Sequence, residues 1–477
     1  MKLFATIIAL AGVFAASAQA HHEANISKWQ FSHTGAEWKA VTVPHDWAIS
    51  GPFDKKWDLQ EVAIKENGED KPTEHSGRSG SLPWIGKGFY KTTIHIAEGT
   101  AYAELKFDGA MAAPEVSVNG KKAGHWAYGY NAFRVDITPY IHTGDNLIEV
   151  ALENEEESNR WYPGGGIYRP VTLITHANKS RLDLWGLQMQ TLSIDGGRAL
   201  IDIRHEGKDI PADAMLKVTV TDKGGKVVAN ASSPADGMGD FHTQVSLADP
   251  QLWSPETPYL YDVKLSLVAD GKTLDVQHQK LGVRTVKFSA EGGFQLNGVT
   301  RKIKGVCLHH DLGPLGAAVN KAAIIRQIRI MKDMGADAIR TSHNMPSTMQ
   351  MEVCDSMGMM VMAESFDGWK EPKVRNGYGK LWDEWWQKDI TNLILNHRNH
   401  PSIIMWSVGN EIPEQWKPEG VERYKHLTAL CHRLDPSRQV TCGMDQPDGT
   451  MWAGFAQVAD VPGYNYRVHK YEEMMKR

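Results

Sequence analysis

The chain has 477 residues, 42% of them apolar and 23% charged, with a formal net charge of −5. That length exceeds what one hydrophobic core serves, so roughly two to four domains are expected. No long run of a single charge sign is present, which argues against a nucleic-acid or membrane-surface partner.

The first predicted element is a targeting segment. Lys2 gives a positive start, Leu3 to Ala16 form a short apolar run, and Ala18-Gln19-Ala20 fits a small-x-small cleavage site. Residues 1–20 therefore read as a secretory signal peptide, and the mature protein as exported, periplasmic or extracellular. The run is too short to span a bilayer comfortably, and no later stretch of about 20 apolar residues follows. Cleavage after Ala20 would leave His21-His22 at the new N-terminus. That pair is capable of holding copper, but the sequence offers it no clear third ligand.

From residue 21 to 177 the pattern is short alternating strands. Ala101, Ala103, Leu105 and Phe107 point one way, Val116 and Val118 lead into an Asn119-Gly120 turn, and Leu147 to Leu152 form another apolar strand. Period two with such turns predicts an antiparallel β-sandwich. Residues 178–287 repeat the signal on a smaller scale: Leu216, Val218 and Val220 alternate, as do Tyr261, Val263, Leu265 and Leu267. An immunoglobulin-like sandwich is expected there.

From residue 288 to 477 the period changes to helical. Ile324, Ile325, Ile328, Met331 and Met334 make a stripe begun at Asn320 and closed by Gly335. Ser347 and Gln350 form a capping box for a second helix, ended by Gly358. Trp382 to Ile394 marks a third, and Val421 to Leu434 a fourth. Apolar strands separate them at Ile303–Leu308, Ala336–Arg340, Met359–Ala363, Ile403–Val408 and Val440–Cys442, with a weaker one at Asp460–Tyr464. Alternating strand and helix implies parallel strands with helical crossovers, either a doubly wound sheet or part of an eight-stranded barrel. No Gly-rich phosphate fingerprint follows the first strand. Polar residues cluster instead at strand ends: His309-His310-Asp311, Ser342-His343-Asn344, Glu364, Asn410-Glu411 and Tyr464-Asn465-Tyr466. That is the active-site layout of a TIM barrel, with strands seven and eight outside this chain.

Glycoside hydrolysis needs a proton donor for the leaving oxygen and a carboxylate facing the anomeric carbon. Glu411, following the strand Ser402 to Val408, is the candidate acid/base, and an apolar, Trp-lined pocket would raise its pKa. Glu411 is equally readable as a helix-start glutamate. Asn410 is placed to meet a sugar hydroxyl. His309, His310, Asp311 and His343 suit either sugar hydroxyls or a metal, and the carboxylate chemistry needs no metal. Glu364 reads as a buried structural hydrogen-bonder, the alternative of a second carboxylate being disfavoured by its place on the strand next to that of Glu411, and Tyr464 or Tyr466 reads as a phenol near the site or as core. The sixteen Trp residues are either core or sugar-stacking surfaces. The four cysteines show no metal-ligand spacing and read as buried free thiols.

Nine segments together resemble glycoside hydrolase family 2. They are Val43-Pro44-His45-Asp46-Trp47, Gly88-Phe89-Tyr90, Arg160-Trp161-Tyr162-Pro163-Gly164-Gly165-Gly166-Ile167-Tyr168-Arg169, Leu252-Trp253-Ser254-Pro255, Gly282-Val283-Arg284, Gly305-Val306 with His309, Ile339-Arg340-Thr341-Ser342-His343, Arg398-Asn399-His400-Pro401-Ser402 and Trp406-Ser407-Val408-Gly409-Asn410-Glu411. The resemblance implies a jelly-roll sugar-binding domain, an immunoglobulin-like domain and a catalytic barrel. It implies Glu411 as acid/base, with Asn410, His309, His343, Tyr464 and Tyr466 around the sugar and the Arg160-Trp161 loop over the barrel mouth. The family nucleophile, a glutamate on strand seven, matches no residue here, so the chain alone is expected to be inactive and aggregation-prone. A β-galactoside is the favoured substrate, with β-glucuronide, β-mannoside or non-catalytic carbohydrate binding as alternatives. No cofactor and no catalytic metal are expected, and a homo-oligomer is left open.

Overall fold

The computed structural model describes residues 20–477 except 59–60, 63–70, 72–73, 76–81, 83–84, 475 and 477. Apart from Ala20, the segment read as a signal peptide lies outside the described residues.

The first region is a sandwich of two antiparallel sheets. Four strands (His22–Asn25, Val171–His176, Tyr102–Phe107 and Phe133–Asp136, in that order) face six (Lys39–Thr42, Lys28–Ser32, Gly86–Ile96, Gly144–Asn154, Glu115–Val118 and Lys121–His125). The alternation has its predicted consequence: Ala103, Leu105, Phe107, Val116 and Val118 are all fully buried in the shared core. Asn119 and Gly120 both take left-handed backbone, φ 50° and 76°, the conformation a two-residue hairpin turn demands and Asn-Gly tolerates best.

A second, smaller pair of antiparallel sheets comes next. Gln188–Asp195, Arg198–His205 and Phe241–Ala248 form one; Val227–Pro234, Met215–Thr221, Tyr261–Ala269 and Lys272–Leu281 form the other. Leu216, Val218 and Val220 meet Val263, Leu265 and Leu267 in its core.

Residues 286–300 differ from the sequence reading. They make a small antiparallel sheet, Val286–Ser289, Gly293–Leu296 and Val299–Thr300, before any parallel strand begins. Its Phe294 and Leu296 pack with Trp253 against Ala338, Met360, Ile404 and Met405. Those four residues lie at the starts of parallel strands, so this sheet seals the amino-terminal end of the next region.

That region has six parallel strands: Gly305–Leu308, Ala338–Thr341, Met360–Glu364, Ile403–Asn410, Gln439–Met444 and Gly463–Tyr464. Their spatial order is their chain order throughout. A doubly wound sheet would reverse direction at a switch point, whereas an unbroken order is that of a barrel wall. The crossover helices Lys321–Asp333, Thr348–Met357, Trp382–His397 and Pro418–Leu434 start and stop where local chemistry dictates. Asn320 accepts from Ala323 N and Ser347 from Gln350 N, satisfying first-turn donors. Gly358 ends its helix at φ 72°. Cys354, Cys431 and Cys442 are buried free thiols, but Cys307 is exposed, because it lies on the edge strand of the sheet. Among the described residues, no helix is long and apolar enough to cross a membrane.

Many of the motif residues turn out to be joints between regions. Arg169, 1% exposed, donates from the first sandwich to Met345 O (2.7 Å) and Pro346 O (3.1 Å) beside the second barrel strand, and to Tyr130 O (2.8 Å). Buried Asp46 accepts from Tyr162 OH (2.6 Å), Gly165 N (3.1 Å) and Ala317 N (2.9 Å), tying the first sandwich to the loop after the first barrel strand. Arg398 donates to Trp185, Gly186 and Leu187 carbonyls of the second sandwich, while Arg284 returns to Pro401 and Ile403. In each case a cation or carboxylate satisfies backbone groups that the interface would otherwise bury unpaired. Asp389, on the third helix and fully buried, accepts from Trp126 Nε1 (2.8 Å), Asn131 Nδ2 (2.9 Å) and Tyr378 OH (2.6 Å). Burial pushes its carboxyl up to about 7 against the pull of those donors.

Candidate active site

Glu411 follows a strand buried along its whole length. Between Ser407 and Asn410 the register against the fifth strand slips, Ser407 facing Thr441 and Asn410 facing Gly443. A bulge of this kind bends the strand and re-aims the side chains beyond it. Glu411 then takes left-handed backbone at φ 46°, with its amide on Gly443 O at 2.7 Å. For a non-glycine residue that conformation is uncommon and costs about 1–3 kcal/mol. It leaves the side chain half-buried at the carboxyl end of the sheet rather than in a helix start.

The surroundings of the carboxylate are polar, not apolar. Asn465 Nδ2 donates to Glu411 Oε1 at 2.9 Å and to Asn410 Oδ1 at 3.2 Å. Burial alone would raise the Glu411 pKa, but hydrogen bonds from Asn465 and Tyr466 and the charges of Lys373 and Arg160 outweigh it, and the carboxyl sits below its ordinary value. The raised pKa expected from a Trp-lined pocket is therefore corrected. Trp406 turns away from the site, and its indole donates to Asp435 Oδ2 at 2.9 Å.

Around Glu411 runs a connected network. Asn410 is 1% exposed; its Oδ1 accepts from Arg340 Nη2 (2.8 Å), its Nδ2 donates to Asp367 Oδ1 (3.0 Å), and its carbonyl accepts from Lys373 Nζ (2.7 Å). These partners, with Asn465 on the same Oδ1, hold the Asn410 side chain in one orientation. Asp367 in turn receives Arg160 Nε at 2.6 Å and Lys373 Nζ at 3.0 Å. Burial would raise its pKa, but these cations hold it well below the usual carboxylate range.

Arg160 belongs to the first sandwich, so the ion pair with Asp367 brings that region's loop over the barrel. Trp161 beside it donates to Tyr130 OH at 3.0 Å and lays its ring against His309 (5.0 Å between centroids) and His343 (5.8 Å). His309 and His343 are themselves 5.6 Å apart. His309 has its pKa lowered by burial and by neighbouring His343, and its buried Nδ1 has no hydrogen-bond partner among the described residues. His343 Nδ1 pairs with Glu364 Oε1 at 2.6 Å.

Glu364, fully buried, also accepts from Arg340 Nε (2.7 Å) and Ser407 Oγ (2.6 Å). It is committed to holding its neighbours. His310 faces the other way, onto Pro163 O at 3.1 Å and the rings of Tyr130 and Tyr168. The strand-end histidines thus do not converge as metal ligands. Tyr464 is also turned aside, its hydroxyl on Met451 Sδ at 3.4 Å, whereas Tyr466 is exposed and bonds Glu411. Reading the sequence missed Asn465, Asp367, Lys373 and Arg340 as members of this cluster. Asn465 was in view between two tyrosines and Arg340 within the segment Ile339 to His343, though neither was given a role at the site; Asp367 and Lys373 carried no local signal that separates them from surface charge.

Known proteins share this arrangement of regions. Family models match in order: the sugar binding domain of glycosyl hydrolases family 2 over residues 7–177, glycosyl hydrolases family 2 over 187–284, and that family's TIM barrel domain over 288–476. The β-galactosidase BoGH2A of Bacteroides ovatus is 34% identical over 472 residues, covering 90% of this chain and 53% of its own length. A β-glucuronidase of Bacteroides fragilis is 29% identical over 460 residues, covering 89% and 60%. A family 2 structure from Bacteroides cellulosilyticus superimposes with a TM-score of 0.85 at 32% identity, covering 95% of this chain and 60% of that one. The chain spans between half and two thirds of the length of these relatives.

Proposed function

The chain belongs to glycoside hydrolase family 2, and on that premise we propose that it carries the acid/base half of a retaining exo-β-glycosidase active on terminal β-galactosides. In this reading Glu411 protonates the leaving oxygen and later activates water, and Asn410, His309, His343, Trp161 and Tyr466 line the sugar site. The observation that carries the proposal is the aim of Glu411: a bulged strand end and left-handed backbone turn it out among strand-end polar groups. The first two regions, 21–177 and 178–287, are read as jelly-roll and immunoglobulin-like domains supporting a barrel from 288 onward, in an exported protein.

β-Glucuronides are the second reading, favoured by the relatives of that name. A panel of nitrophenyl β-glycosides, offered to an active form of the enzyme, separates the two. Galactoside turnover should exceed glucuronide turnover at least tenfold. Glu411→Gln should lower turnover of a poor leaving group by about a thousandfold, in the range general acid–base groups supply. Near-normal turnover by that variant would refute the assignment, and sugar binding without any hydrolysis would favour a non-catalytic carbohydrate-binding protein.

A further inference from the structure

Far from the barrel mouth, the fold supplies His21 with the partners that its neighbourhood in sequence lacks. His21 immediately precedes the strand His22–Asn25, which pairs with Val171–His176. Its Nδ1 lies 3.0 Å from Asp275 Oδ1, and His176 Nδ1 lies 3.4 Å from the same oxygen. Asp275 belongs to the second sandwich, on the strand Lys272–Leu281. The two imidazole rings meet edge to face, 4.7 Å between centroids. His176 is 2% exposed and Asp275 fully buried, and His176 Nδ1 makes no aligned hydrogen bond among the described residues. All three ligand atoms fall within 4.8 Å of one another.

We propose that His21, His176 and Asp275 form a binding site for a first-row divalent cation of the Zn²⁺ class, joining the two sandwiches. The donor set is the first argument. Two imidazole nitrogens and one carboxylate oxygen suit borderline cations such as Zn²⁺ and disfavour Mg²⁺, which prefers oxygen ligands and retains its waters. Geometry is the second. Ligands about 2.0–2.1 Å from a tetrahedral Zn²⁺ stand about 3.3 Å from one another; the two nitrogen–oxygen edges here, 3.0 and 3.4 Å, match that spacing, and the nitrogen–nitrogen edge lies within 4.8 Å. Support around the ligands is the third. Glu23 Oε1 lies 2.9 Å from His21 Nε2, so the ring nitrogen away from the site is fixed by a carboxylate, as metal-bound histidines commonly are. Leu182 N and Val276 N, each at 2.8 Å, orient the Asp275 carboxylate. Water would take the fourth position on the solvent side of His21, where the side chain is 10% exposed.

The test is metal binding by the EDTA-stripped, dialysed chain. Zn²⁺ titrated against a chromophoric competitor should bind at one equivalent and raise Tm by several degrees, with Mg²⁺ doing neither. Co²⁺ at the same site should give the intense visible bands of a four-coordinate ion. His176→Gln and His21→Gln should each weaken Zn²⁺ at least a hundredfold and Glu23→Gln about tenfold, while His95→Gln, on an exposed pair with Asp145, should change nothing. His21→Gln keeps the test decisive if His176→Gln fails to fold. Failure to bind one equivalent, or binding that survives His21→Gln, would overturn the proposal.

Discussion

Replacing Asp389 with Asn tests how buried carboxylates knit the first sandwich to the barrel. Trp126 Nε1 and Asn131 Nδ2 both donate to Oδ1, and among the described residues only Tyr378 OH donates to Oδ2. Asn at 389 can keep its oxygen toward the first two and present its NH₂ to the tyrosine, whose hydroxyl can rotate to accept. The variant should therefore fold. In the native protein the carboxyl is raised from 3.8 to about 7, so between those values the folded state holds a proton that the unfolded chain has released. Its stabilising contribution is complete below pH 3.8, drains away as pH rises to about 7, and is flat beyond. At about 1.4 kcal/mol per pH unit, the part of that window above pH 5 is worth at most about 3 kcal/mol, and relaxation should reduce it to about 1–2 kcal/mol. Asp389→Asn does not titrate and should lack this slope. Unfolding followed by Trp fluorescence at pH 5, 6, 7 and 8 should show the variant gaining on the native protein as pH rises. Parallel stability–pH curves for the two proteins would refute the reasoning.

Other perturbations probe the remaining features. Lys373→Met removes one of the cations holding Glu411 down, so the Glu411 carboxyl should titrate at higher pH, as read by carbon-13 NMR of labelled glutamate. Arg169→Met abandons buried carbonyls on both sides of the joint between first sandwich and barrel. Calorimetry should register a loss of at least about 3 kcal/mol, or the first sandwich melting separately. Gly282→Ala would set a methyl 2.6 Å from Pro401 and 3.1 Å from Trp253, and thermal melting should show about 1–3 kcal/mol of destabilisation from overpacking.

Local chemistry made much of this fold legible. The helix caps at Asn320, Ser347 and Gly358 and the hairpin at Asn119-Gly120 depend on neighbours within a few residues, and a sequence displays such neighbours directly. The small sheet at 286–300 escaped because its strands are too short for alternation to register. Its reason for existing, the open amino-terminal end that Phe294 and Leu296 cover, is visible only once the parallel strands are arranged. At the candidate site Glu411 and Asn410 stood out because an apolar strand led to them. The environment of Glu411 did not, since Trp406 is near in sequence yet faces Asp435, while Arg160 is distant in sequence and electrostatically close. Long-range ion pairs such as Arg160 with Asp367 leave no periodic trace.

That same ion pair makes the mouth of the barrel a composite of two regions. In the proposed reading, residues around a bound sugar can then diverge by exchange or lengthening of one sandwich loop, with Glu411 and its partners on the parallel strands left alone. If the proposed function holds, a chimera that grafts a relative's residues at 155–159 and 161–163 while retaining Arg160 and its anchor Asp367 is the smallest unit by which substrate preference should be transferable. Parallel strands excised from the first sandwich would lose the wall of their mouth that Arg160 and Trp161 supply.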